Sequence, residues 1–435
     1  MRRVFGVVLA GVIGCTSACA TAVAGTPLAD PKATVRPSEP SGPVKLTVMV
    51  PGEQGYQELV ADYQREHPNV TVQLQQLNYD VYLQKLQTMM AAGTPPDVAV
   101  IGDESRAEFF DHQADRFADL SDVGPADVDK KRWLDWKYKG GLTKDGTWVG
   151  YPTDIGPTGI AYRTDLFAAA GLPTDPAQVG QLLQSWDKYF AVGDQYVRAT
   201  GKPWFDASST VFTAMQNQLP TGYFDKDDQL AIESNTDIKA NWDAVTGAVG
   251  RGQSAKLAPF SAQWNAGFRT GAFATVAAPF WMLSLIKLNG GPENAGKWAI
   301  ADTFPGGGTN WGGDYLAVPK ESKFPEQAAE LAAWLSAPEQ QLKAFKSANT
   351  FPSQVAALKS ADVTGLRDTY FATADIGTRY ATLAQNVTVA PYPSPRDSQV
   401  QNEAMNPALQ AVEQGTPPDA GWQQVVAKAK EVAGG

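Results

Sequence analysis

The sequence predicts an α/β fold in which helices cover a parallel sheet and the chain divides into two lobes. Two observations predict it. Between Lys45 and Ile101, strand-like and helix-like hydropathy alternate in the order β-α-β-α-β, a pattern that calls for parallel strands joined by right-handed crossovers. The length, 435 residues, exceeds one domain at roughly 150 residues each, and two lobes are the natural division.

Each element has its own signal. Lys45 to Val50 alternates towards an apolar strand. Tyr56, Leu59, Val60 and Tyr63 recur at helical spacing, and His67-Pro68 stops that helix. Val70, Val72 and Leu74 alternate as a second strand. Tyr82, Leu86, Met89 and Met90 mark a second helix, ended by Gly93-Thr94-Pro95-Pro96 before the third strand, Val98 to Ile101. In open sheets of this kind ligands lie beyond the carboxyl ends of the strands. The loops Pro51-Gly52-Glu53-Gln54-Gly55 and Gly102-Asp103-Glu104-Ser105 are therefore expected to face one crevice. Carboxylates placed there accept hydrogen bonds from a polar ligand; the alternative is that they cap the helices that follow. For Glu53 both readings stand, and for Asp103 and Glu104 ligand contact is expected of at least one.

Composition removes several function classes. The formal charge is −10, and the Lys and Arg residues are scattered rather than gathered into a stripe, so nucleic acid is not an expected partner. The only cysteines, Cys15 and Cys19, lie in the first twenty residues, which leaves the folded body no disulfide and no thiolate metal site. His67 and His112 are the only histidines, too few to ligate a catalytic zinc; no metal or cofactor is expected. Gly306-Gly307-Gly308 lacks the Lys-Ser/Thr of a phosphate loop and reads as a turn. The 12 Trp exceed ordinary core needs, and some of those rings are expected to face a ligand.

The first residues read as an export signal. Arg2 and Arg3 precede the apolar run Val4 to Ile13, at about ten residues too short for a membrane span of about twenty. Val12-Ile13-Gly14-Cys15 resembles the bacterial lipobox, whose cysteine is acylated and becomes the mature N-terminus, so residues 1–15 are expected to be signal and lipobox, with Cys15 lipidated. An ordinary secretory signal cut near Ala22-Val23-Ala24 is the alternative. Cys19 is the weaker acceptor because Thr16 replaces the usual aliphatic residue. Residues 16–43, rich in Ala, Thr, Ser and Pro, read as a tether.

From about Val44 onward the chain resembles the extracellular solute-binding proteins of bacterial ABC importers, in the branch typified by maltodextrin-binding proteins. The resemblance is carried by YQREHPNVTV (Tyr63 to Val72), AAGTPPDVAV (Ala91 to Val100) and GYPTDIGPTGIAYRTDLFAAAG (Gly150 to Gly171). It continues in FRTGAFATVAAPFW (Phe268 to Trp281), GGDYLAV (Gly312 to Val318) and the stretch Ala328 to Leu335. Each is weak alone, and the six in order are specific. The resemblance implies a two-lobe, periplasmic-binding-protein-like (type II) fold with crossover hinge strands and a ligand clamped between the lobes. It places residues 44–153 and 312–343 in lobe 1, and 154–311 and 344–435 in lobe 2, with crossings near Tyr151 to Asp154 and Phe304 to Gly312.

Within that frame Glu53 and Gln54 match the first-lobe ligand loop, although Gln54 stands where maltodextrin members carry a basic residue. Trp281, in Ala278-Pro279-Phe280-Trp281, matches the position of a stacking ring. Its own context agrees: a Trp just after Pro279 falls near the first turn of a helix that begins on the ligand edge. Sugar rings pack C–H faces on indoles while their hydroxyls bond acids, amides and backbone. Core packing within Phe273 to Ile286 is the alternative. Trp264 and Trp311 are further candidates for either role. Gly313 and Asp314 offer close backbone approach and a carboxylate, or a hinge turn. Asp154 is a candidate for hydroxyl contact, or a turn cap. Tyr392 and Arg396 occupy a region where members return a late loop to the cleft, while Arg396 could equally pair with a surface acid.

The resemblance implies a lipid-anchored, monomeric receptor on the outer face of the cell membrane. It would capture an oligosaccharide and deliver it to the permease subunits of an ABC importer, without catalysis. The stretch YPTDIGPTGIAYRTDLFAAAGLPTD looks most like members serving β-linked sugars such as cellobiose or xylobiose. Two alternatives stay open: a secreted glycosidase using Asp103, Glu104 or Asp154, and a sugar-binding component of a sensor system.

Overall fold

The strand positions follow from where apolar side chains must be covered on one or both faces. The computed structural model describes residues 42–373, 375–389 and 394–434, all within the compact unit Pro37–Gly435. Its strands are β1 (Val44–Pro51), β2 (Val70–Leu77), β3 (Val98–Gly102), β4 (Tyr151–Pro152), β5 (Thr158–Arg163), β6 (Thr275–Pro279), β7 (Trp298–Ile300) and β8 (Asp314–Ala317). Every residue of β3, β5 and β6 is buried, the near-continuous apolar run expected of strands covered on both faces.

A five-stranded sheet has the order β2-β1-β3-β8-β4, and a three-stranded sheet the order β6-β5-β7. β1 runs parallel to β2, from Val44 opposite Val70 to Pro51 opposite Leu77, and parallel to β3. The β-α-β-α-β expectation thus holds for three strands. What alternation did not reveal is that β8 joins β3 and β4 in antiparallel pairing. β8 enters this sheet from the other lobe, and Gly312 (φ 104°) and Gly313 (φ 100°) turn the chain into it. A Cβ on Gly313 would stand 2.3 Å from the Asp154 carbonyl oxygen, so only glycine fits that turn.

The helix Tyr56–Glu66 buries Tyr56, Leu59, Val60 and Tyr63, one stripe at 3.6-residue spacing. The helix Tyr79–Ala91 buries Tyr82, Leu86 and Met90. These helices cover the first sheet, whose core includes Val48, Ile101, Phe110, Trp133, Leu316 and Leu331. A second core surrounds the smaller sheet, with Ile160, Tyr189, Trp204, Trp264, Val276 and Trp298. Two separate cores, each around its own sheet, make two lobes. The segments between them are tied to one another by antiparallel bridges, Asp154 with Pro352 and Pro157 with Asn310.

Candidate functional site

Because β1 lies between β2 and β3, the chain leaves β1 to one side and returns to its other side. This is a switch point, where a crevice opens at the strand ends. The loop after β3 stands on it. Asp103 forms an ion pair with the Lys137 ammonium at 3.0 Å and accepts from Asn310 Nδ2 at 3.0 Å. Lys137 is fully buried, with its ammonium 3.9 Å from the centre of the Tyr315 ring, and a buried cation persists only with a counter-charge of this kind. Glu104 is exposed and accepts from the Tyr79 hydroxyl. Neither acid caps the helix Arg106–Phe110, whose N-cap is Ser105.

Asp314 begins β8 beside them. Its backbone N–H donates to Asp154 Oδ1 at 2.9 Å, and its Oδ2 accepts from Gln54 Nε2 at 2.5 Å. Asp154 also accepts from Thr153 Oγ1 at 2.8 Å. Burial, and then the negative charges of Asp154 and Glu104, push the Asp314 carboxyl well above the usual range, with Lys137 opposing. Burial also raises Asp154. Gln54 and Asp154 sit together in a small depression with Tyr56 and Thr153, apart from the main cleft lining. Glu53 is exposed and accepts from Gly55 N–H at 3.0 Å and Gln76 Nε2 at 3.2 Å; it belongs to its own turn rather than to the cleft.

The opposing wall comes from lobe 2. Trp281 is the N-cap of the helix Met282–Gly290, as the proline before it predicts. It is half-buried and lines the cleft. Its Nε1 donates to the Trp311 carbonyl at 3.0 Å, and the two indoles meet edge-to-face at 5.9 Å and 82°. Sequence reasoning missed Phe260. It is 57% exposed in the cleft and lies 6.5 Å and 22° from the Trp281 ring. Its φ of 65° is an outlier for a bulky residue, the kind of strain that collects at ligand clamps.

The helix Ser208–Gln216 adds Ser209, Thr210, Thr213 and Gln216 to this wall, followed by Asn217. Their three- and four-residue spacing puts uncharged polar groups on one helix face. Asn310, also missed, joins both sides: besides Asp103, its side chain accepts from Gly156 N–H at 2.8 Å, and its carbonyl accepts from Asn217 Nδ2 at 3.2 Å. The cleft between the walls has a volume of about 1520 Å³.

Trp311, Gly313, Asp314, Asp103, Glu104 and Trp281 are thus brought together around one cleft. Besides Glu53, Gln54 and Asp154, two further candidates lie away from the cleft lining. Trp264 is fully buried in the lobe 2 core, donating to Asp206 Oδ2 at 2.7 Å, because Trp264, Gly267 and Phe268 form the inward face of the helix Ala262–Thr270. Arg396 donates to the carbonyls of Ala433 at 2.9 Å and Asp228 at 2.7 Å and lies over the Phe224 ring. It therefore ties the C-terminal helix down instead of reaching the cleft, and it pairs with carbonyls rather than a surface acid. Tyr392 and Cys15 lie outside the described residues.

Similarity to known proteins agrees with this architecture. An extracellular solute-binding protein of family 1, solved by crystallography, superposes with a TM-score of 0.87 at 42% identity over 90% of this chain and all of that one. The arabinooligosaccharide-binding protein of Bacillus subtilis (strain 168) is 27% identical over 308 residues, 66% of this chain and 67% of that protein. The lactose-binding protein of Rhizobium radiobacter is 28% identical over 248 residues, 55% of each chain, so this match spans about half of that relative. Residues 58–372 match the family described as bacterial extracellular solute-binding protein. With that match spanning most of the chain, the protein belongs to the bacterial extracellular solute-binding proteins.

Proposed function

We propose that this chain is the sugar-capturing receptor of an ABC importer, which holds an oligosaccharide between its lobes and delivers it to the permease. One observation carries the reading: a single cleft sets aromatic faces (Trp281, Trp311, Phe260) against carboxylates and amides (Asp103, Glu104, Asp314, Gln216). Pyranose rings need this pairing, with C–H faces on rings and hydroxyls on polar groups. The two relatives named for arabinooligosaccharide and lactose support a sugar as the solute. A β-linked sugar such as cellobiose or xylobiose is the narrower reading, resting on the stretch Tyr151 to Asp175. The receptor acts as a monomer on the outer membrane face, held by acylated Cys15; Cys15→Ala is expected to release it to the medium and Cys19→Ala to leave it on membranes.

The glycosidase reading needs a free acid and a base or nucleophile across the scissile bond. Here Asp103 already holds Lys137, and Asp154 holds the Asp314 N–H and Thr153, which favours a binder. Calorimetric titration with a panel of α- and β-linked oligosaccharides, followed by chromatography of the recovered sugar, tests both points. Saturable binding of at least one sugar, returned at its original length, is expected. Binding of none overturns the receptor, and steady shortening of the sugar overturns the non-catalytic reading.

A further inference from the structure

The cleft lining is electrically one-sided. Asp103, Glu104, Glu108, Asp314, Asp397 and Glu413 line it, against Arg106 as the one basic side chain among the described lining residues. The two acids from the lobe 2 side are held by their own lobe. Asp397 accepts from the N–H groups of Tyr223 and Ser394 at 2.9 and 2.7 Å. Glu413 accepts from Ser208 N–H at 2.7 Å and Ser254 Oγ at 2.6 Å. On lobe 1, the Lys137 ammonium offsets Asp103, and Glu108 accepts from Gln113 Nε2 at 2.9 Å. Among the described residues neither Glu104 nor Asp314 forms an ion pair; the Lys137 ammonium, bound to Asp103, acts on both from a distance, and the Asp154 carboxylate stands behind Asp314. Burial first, and then the charges of Asp154 and Glu104, raise the Asp314 carboxyl.

A second observation points to the ligand. Gln216 lines the same cleft at 8% exposure, and neither its amide oxygen nor its amide nitrogen has a hydrogen-bond partner among the described residues. A buried amide left unpaired is costly. It is matched by a group that donates and accepts together, as a hydroxyl does; an anion can only accept, and would leave the amide oxygen unmet.

We infer that the cleft is a charge filter. It admits neutral or amino-substituted oligosaccharides and refuses those carrying a carboxylate, sulfate or phosphate on the ring that faces lobe 1, with Glu104 and Asp314 as the discriminating residues. This rests on the receptor reading and narrows its substrate class. A cleft with low-dielectric walls concentrates the field of its own charges, so a ligand anion there meets uncompensated negative potential while a neutral hydroxyl is bound by the same oxygens.

The test is calorimetry with matched oligosaccharides that differ only in oxidation of C6 to a carboxylate, taking as the neutral member whichever sugar the wild-type protein binds. The uronate is expected to bind at least tenfold more weakly at low salt. That penalty should shrink at high salt and shrink again in Glu104→Gln, an exposed site whose variant keeps the fold, and in Asp314→Asn. Equal or tighter binding of the uronate by the wild-type protein overturns the filter, as does an unchanged uronate penalty in both variants. Failure of the wild-type protein to bind any neutral or amino sugar overturns the receptor reading instead, and is recognised before a variant is made.

Discussion

The two walls of the cleft are built by different means. The lobe 1 wall is a set of carboxylates at strand ends, Asp103 and Glu104 after β3 and Asp314 at the start of β8, around the buried Lys137. The lobe 2 wall sets aromatic rings and neutral polar groups on helix faces and helix starts, Trp281, Phe260, Thr213 and Gln216, and its two acids, Asp397 and Glu413, are held by donors of the same lobe. A strand-end residue is placed by topology, because parallel strands finish on one side of the sheet. A helix residue is placed by phase, and one step of about 100° turns it from cleft to core. Trp264 and Trp281 show the consequence: both are tryptophans in short helical segments of lobe 2, yet the first is sealed in the core and the second lines the cleft.

The sharpest way to break this comparison is to truncate both indoles. Trp264→Ala is expected to cost about 3–5 kcal/mol of stability, the usual range for deleting a core aromatic, and it also strips Asp206 of a donor. Denaturant unfolding measures this; a loss below about 1 kcal/mol would show that Trp264 does not carry the lobe 2 core.

On lobe 1, Lys137→Met is expected to cost about 3 kcal/mol, at the low end for breaking a buried pair, since Asp103 retains some solvent access at 22% side-chain exposure. The same unfolding experiment checks it. A neutral outcome would mean that the cation does not hold the acidic wall together.

A third expectation concerns Asp206, fully buried in lobe 2 with Thr210 Oγ1 at 2.6 Å and Trp264 Nε1 at 2.7 Å as donors. Burial raises its pKa from 3.8 to about 6. The folded state therefore holds this proton more tightly than the unfolded one. The favourable contribution is full below about pH 4 and is lost as pH rises through about 6. Asp206→Asn should then match the wild-type protein at pH 4 and exceed its stability by about 3 kcal/mol at pH 7. A difference that does not grow with pH would contradict the assignment.

The smallest effect separates binding from folding. Trp281→Ala is expected to leave the Tm of the free protein nearly unchanged and to weaken sugar binding at least about tenfold, or about 1.4 kcal/mol. A lowered Tm with normal affinity would move Trp281 into the core and erase the contrast with Trp264.

The same contrast sets what the sequence could reveal. The first three strands and their two helices were legible because alternation and 3.6-residue stripes are local signals, and Asp103 and Glu104 were legible because they follow a strand. Trp264 carried its own warning in the inward spacing of Trp264, Gly267 and Phe268, which only helix phase decodes. The antiparallel β8 could not be read from alternation, since its partners lie more than 150 residues away in sequence. Asn310 gains its bonds to Asp103, Gly156 and Asn217 only when both lobes are in place. Phe260 is marked by a backbone φ of 65°, for which Pro259 and Ser261 give no sequence signal.

The central claim is that one ligand bridges two unlike walls. Closure is then favoured only when sugar supplies contacts to both, and its extent is limited by the ligand's differential affinity for the open and closed forms. Small-angle scattering with and without an oligosaccharide shown by calorimetry to saturate the protein measures this most directly. A smaller radius of gyration in the bound state is the predicted result; an unchanged radius at full saturation would contradict it.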